Sequence, residues 1–135
     1  MQPVSVNYLA VVVAAVANYI IGAIWYAAIF RNAWTKLQGV SEMRMSALSV
    51  ILSLVGAFVM SWVLAHALIF SAAYMKTSGI GAGLETGFFQ WLGFIAPVTL
   101  GVVLYEKKSW ALWLLNNGYW LVSLLVMGII LSVWT

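Results

Sequence analysis

The chain has 135 residues, room for one domain, and 65% of them are hydrophobic while only 7% are charged. Soluble domains carry about 25% charged residues, so six Lys/Arg, three Glu and no Asp cannot cover a water-facing surface; with a mean hydropathy of +1.05 the composition excludes a soluble fold. The absence of cysteine removes disulfides, thiol chemistry and cysteine metal sites, and the net charge of +3 forms no basic stripe that would hold nucleic acid.

A helix needs about 20 apolar residues to cross a hydrocarbon core of about 30 Å. Four such runs are present, at about 6–30, 47–70, 83–104 and 110–134. They are continuous rather than alternating, which rejects a transmembrane β-barrel. Backbone polar groups in lipid must be satisfied within the segment, so each run is expected to be a helix. The predicted fold is all-α, one domain over 1–135: an antiparallel bundle of four transmembrane helices.

The first run holds Asn18 near its middle, and Asn18, Gly22 and Tyr26 share a face at four-residue steps. Ala15-Val16-Ala17 resembles a signal-peptidase site, but no Lys or Arg precedes it and the apolar run continues, so a retained helix is expected. Residues 31–46 form the first loop. The second run carries the only histidine, His66, about a turn from its far end. Ser46, Ser49, Ser53 and Gly56 make a small-residue stripe along it, the kind of surface on which helix backbones approach closely.

Gly79, Gly81 and Gly83 precede the third run without the strand and Lys of a phosphate loop, so a flexible turn is expected there. Glu85 lies near the start of that run. The topology brings it to the depth of His66, where an imidazole–carboxylate pair would make a proton-handling site; a structural hydrogen bond is the plainer reading. Gly83, Thr86, Gln90, Gly93, Pro97 and Gly101 form one small-and-polar stripe, with Gly87 beside it as a further packing candidate. Pro97 removes a backbone hydrogen bond and is expected to kink the helix, a hinge candidate.

The link Glu106-Lys107-Lys108-Ser109 is short enough to force the third and fourth runs into a hairpin. In the fourth run Asn116 shares a face with Trp113, Trp120, Ser123 and Met127, and Asn117 follows. Trp62, Trp91, Tyr119 and Trp120 fall too deep for an interfacial belt. They are expected to fill gaps between helices; the alternative is an apolar ligand or lipid groove.

Arg31, Lys36, Arg44, Lys107 and Lys108 lie on one side and Lys76 alone on the other. The positive-inside rule then places loops 31–46 and 105–109 in the cytoplasm of a bacterial inner membrane, with both termini outside. The same bias opposes insertion in both orientations.

Asn7-Tyr8-Leu9-Ala10-Val11, Gly22-Ala23-Ile24-Trp25-Tyr26 and Trp34 resemble the start of an uncharacterised family of small bacterial four-helix membrane proteins, a domain of unknown function. The second half carries the more specific likeness. It comprises Gly87-Phe88-Phe89-Gln90-Trp91-Leu92-Gly93-Phe94, Ala96-Pro97, Tyr105-Glu106, Asn116-Asn117-Gly118-Tyr119 and Met127-Gly128. The resemblance spans about Asn7 to Trp134 and is weakest in the second run. It implies the four-helix membrane fold and brings no activity, substrate or catalytic residue.

Among function classes, an enzyme is not expected: one His and three Glu, without Cys or Asp, leave too few partners for a triad or a three-ligand metal site. No metal and no cofactor is expected. Proton-coupled export through an acid in the first helix lacks its carboxylate. A structural or accessory subunit remains, embedded in the bilayer and packing on copies of itself or on a larger membrane complex. So does an oligomeric channel or carrier with a polar track through Glu85, His66, Gln90, Asn18, Asn116 and Asn117. Polar residues at such depth are either packing glue or a path.

Overall fold

The computed structural model describes residues 6–39 and 46–134. Arg44, one of the five basic residues used for orientation, lies outside them. Four helices are long and apolar enough to cross a membrane: α1 (Tyr8–Ile29), α3 (Ala47–Met75), α4 (Gly79–Leu104) and α5 (Trp110–Val133). Between α1 and α3 the first loop contains a short helix, α2 (Arg31–Gln38), which the apolar runs did not reveal because its residues are mostly polar. No strand occurs among the described residues.

Local chemistry sets the ends. Asn7 caps α1 by accepting from the N–H of Leu9 and Ala10, Ser46 caps α3 through the N–H of Ser49, and Ser109 caps α5 through that of Leu112. Gly39 closes α2 in the left-handed conformation, φ 75°, where a Cβ would be strained. The second span runs five residues beyond the expected end, to Met75. The third starts four residues early, so Gly79 and Gly81 lie in the first turn of α4 and not in a flexible turn.

Helix α5 is the centre of the packing. Asn7 donates to the Trp134 carbonyl at 2.7 Å, Trp25 meets Leu115 and Tyr26 meets Asn116, so residue numbers fall along α5 as they rise along α1. Gly83 against Gly128 and Gly87 against Leu124 give the same reversal between α4 and α5. Helix α3 leans on α1, where Ser61 donates to the Val11 carbonyl at 2.8 Å. The buried core lies in the half nearer the termini: Ala10, Val11, Ala14, Leu64, Ala65, Leu68, Leu124, Met127 and Leu131. From Ala47 to Gly56, by contrast, α3 faces outward, with Val50 alone half-buried.

Two turns depart from α geometry, Ile24–Ile29 in α1 and Trp91–Ile95 in α4, both π-helical. The second explains a missed face. Ala96 donates to the Trp91 carbonyl, five residues back; that wider turn absorbs one extra residue and rotates everything after it by about 100°. The stripe expected from α spacing therefore splits. Gly83, Thr86 and Gly87 are buried, Gly93 and Pro97 face outward, and Ala96 and Thr99 turn inward in their place. Pro97 has no N–H for the carbonyl four residues earlier and its ring would strike it. The π turn removes both problems and leaves Pro97 in the first turn of a fresh α segment, where a missing donor costs nothing.

Pro97→Ala is accordingly expected to let the turn revert to α geometry and swing Thr99 away from Asn117. A Thr99→Val/Asn117→Leu double-mutant cycle should show coupling in the parent chain and none in the Pro97→Ala background. Coupling that survives unchanged would separate the π turn from the proline.

Candidate functional site

Two clusters of polar side chains within the membrane lie between α1, α4 and α5. In the middle, Asn18 is 3% exposed and Tyr119 7%. The Tyr119 hydroxyl donates to Asn18 Oδ1, while Asn18 Nδ2 reaches Met127 Sδ at 3.5 Å. Ser123 Oγ also contacts that sulfur, at 3.6 Å. Gly22 makes room for the tyrosine: a Cβ there would lie 3.0 Å from the hydroxyl.

A second cluster lies nearer the loop 105–109. Tyr26 donates to Asn116 Oδ1 at 2.8 Å, and Trp25 Nε1 to the Leu115 carbonyl at 3.0 Å. Asn117 Nδ2 donates to Thr99 Oγ1 and to the Trp113 carbonyl, each at 3.0 Å. Tyr26 joins the two clusters by an edge-to-face contact with Tyr119, centroids 5.3 Å apart, and Trp34 of α2 packs on its other side. Among Tyr26, Thr99, Val102, Trp113, Asn116, Asn117 and Trp120 a cavity of about 250 Å³ remains. Its wall has no ionisable group except the Tyr26 phenol. The indole Nε1 of Trp113 is buried without a partner.

The expected site residues thus divide. Asn18, Asn116 and Asn117 come together with Gly22. His66, Glu85 and Gln90 do not join them. His66 Nδ1 donates to the Trp62 carbonyl of its own helix at 2.8 Å, with the two rings 4.5 Å apart. No hydrogen bond or ion pair links it to Glu85 among the described residues. Glu85 and Gln90 are half-buried on α4 without a hydrogen bond. Of the packing candidates, Gly22 and Gly87 sit in close contacts, whereas a Cβ on Gly56 or Gly93 would meet nothing within 4 Å. Gly56 lies on the free half of α3, and the π turn carries Gly93 outward.

Sequence spacing missed Thr99, hidden by the π turn, and the pairing of Gly83 with Gly128. The deep aromatics divide as well. Tyr119 fills the α1–α5 contact, Trp91 and Trp120 are half-buried, and Trp62 faces outward at 40% exposure. Trp25 and Tyr26 hydrogen-bond across helices to α5.

Compared with known proteins, residues 9–132 match the model of a family described as a protein of unknown function, DUF1761. No curated protein and no solved structure matches the chain.

Proposed function

We propose, from the premise that the chain belongs to the DUF1761 family, a non-catalytic role as a structural or accessory membrane subunit. In this reading it packs through α3 on copies of itself or on a larger membrane complex, in a plasma membrane with loops 31–46 and 105–109 cytoplasmic. The observation that carries it is the free half of α3. Ser49, Ser53 and Gly56 present a small-residue surface outward, and a Cβ on Gly56 meets nothing within 4 Å. Small residues of this kind let a second helix approach closely, and lipid alone does not require them.

The natural absence of cysteine makes the test direct. Gly56→Cys, Ser53→Cys and the lipid-facing control Phe94→Cys should be oxidised in native membranes. Dimer bands, or adducts with one larger protein, are expected for positions 53 and 56 and not for 94. Equal, weak crosslinking at all three positions would overturn the subunit reading.

An oligomeric channel or carrier is the second reading, favoured by the polar cavity beside Asn116 and Asn117. It requires a continuous path, and towards the termini Met127 and Leu131 are buried beyond Asn18. Solute flux that falls with Asn116→Leu while assembly persists would support it over the subunit reading.

A further inference from the structure

Helix α3 carries two polar nitrogens that nothing in the chain satisfies. Trp62 is 40% exposed, and its indole Nε1 makes no hydrogen bond among the described residues. His66, one turn on, is half-buried. Its Nδ1 donates to the Trp62 carbonyl, which leaves Nε2 of the neutral ring as an acceptor. Unlike the indole nitrogens of Trp91 and Trp113, this Nε2 is not sealed inside the bundle. The two ring centroids lie only 4.5 Å apart, so the free donor and the free acceptor sit at nearly one level.

Lipid serves neither nitrogen. Helix α3 runs from Ala47 to Met75, with Ser61 at its middle. Centred on the bilayer, it places Trp62 about 13 Å and His66 about 7 Å inside the hydrocarbon boundary. Acyl chains offer no hydrogen-bonding group there, and a Trp serving the interface would stand near the boundary. The surrounding face suits a second helix. Leu52, Val55, Val59, Trp62 and His66 recur at three- and four-residue steps, the seam spacing of two packed helices, and the first four are exposed. Gly56 lies beside this seam, where a Cβ meets nothing within 4 Å.

Symmetry selects the occupant. About a two-fold axis along the membrane normal, groups at one level meet groups at the same level, and every contact occurs twice with the roles exchanged. A donor and an acceptor at one level are therefore self-complementary: each copy supplies what the other lacks. We propose that α3 packs in parallel on α3 of a second copy, with Trp62 Nε1 of each copy donating to His66 Nε2 of the other. The pairing rests on the subunit reading and specifies its partner as this same chain.

The test is resonance energy transfer between full chains labelled with donor or acceptor dye at Tyr105→Cys, an exposed loop position, and diluted in mixed micelles. The parent should dimerise. Trp62→Phe and His66→Phe keep a ring at each position and remove the donor or the acceptor, so helicity should match the parent. Each should weaken its own dimer about eightfold, the effect of two interhelical hydrogen bonds of average strength. A Trp62→Phe chain mixed with a His66→Phe chain retains one intact pair and should lose only about threefold. A chain with both substitutions, mixed with the parent, retains none and should lose about eightfold again. Equal dissociation of these two mixtures overturns the Trp62–His66 pairing, and with transfer still present it leaves the subunit reading standing. Absence of transfer in the parent overturns the second copy as partner; the subunit reading then stands or falls on the adducts formed at positions 53 and 56.

Discussion

Gly83→Ala is expected to separate α4 from α5. A Cβ on Gly83 would fall on the carbonyl of Gly128 and 2.6 Å from Ser132 Oγ, and a Cβ on Gly128 would fall in turn on the Gly83 carbonyl. One turn on, a Cβ at Gly87 would lie 2.6 Å from the Leu124 carbonyl. The nearest obstacles at Gly83 and Gly87 are backbone atoms, which cannot rotate away as the Ser132 side chain could. Two consecutive turns of α4 therefore rest directly on α5. Overpacking of this kind costs about 1–3 kcal/mol, and the backbone clash puts Gly83→Ala at the upper end. Gly56→Ala and Gly93→Ala, which meet open space, should stay within about 1 kcal/mol of the parent, on the stabilising side if the gain in helix propensity is felt. Reversible unfolding in mixed micelles measures all three variants. A tolerated Gly83→Ala would mean that the α4–α5 contact is looser than these distances require.

Asn18→Leu should have the second largest effect, because it withdraws the amide acceptor of the buried Tyr119 hydroxyl and leaves it only the longer bond to the backbone carbonyl of residue 18, at 3.3 Å, in a nearly dry contact. The loss expected is about 1–2 kcal/mol. Tyr119→Phe alone leaves the Asn18 amide oxygen unpaired instead, and the double variant removes both members. A double-mutant cycle should give a coupling between about 0.6 and 1.7 kcal/mol, the range found for hydrogen bonds between membrane helices. Zero coupling would mean that Asn18 and Tyr119 are held by packing alone. The same cycle bears on function: Asn18 acting as glue predicts that stability and assembly fall together. A conducting residue would lose flux at constant stability.

Much of the frame is legible along the chain. Continuous apolar runs of 22 or more residues can cross a bilayer only as helices, and Asn7, Ser46 and Ser109 mark three helix starts through side chains that act on their own backbone. Asn18, Gly22 and Tyr26 fall on one face by simple spacing, and the structure places all three against α5. Spacing failed where geometry left the α path. Thr99 and Ala96 replaced Gly93 and Pro97 on the packed face, because a hydrogen bond to the fifth residue instead of the fourth shifts the phase and has no period of its own in sequence. The His66–Glu85 pair failed for a different reason: common depth fixes height along the membrane normal and says nothing of direction around each helix.

The sequence by itself therefore determined the solvent, the number of spans, their capped starts and the polar residues that must find partners in lipid. Hydropathy and local capping are properties of consecutive residues. The tertiary structure alone decided which partners they find. It brought Gly83 onto Gly128, gave Tyr119 to Asn18 and Asn116 to Tyr26, and left an unpaired indole donor beside a cavity, while His66, Glu85 and Gln90 stayed apart. Those choices depend on helix rotation and on close backbone approach. In lipid, where apolar faces gain little by meeting one another, small residues and hydrogen bonds distant in sequence set both.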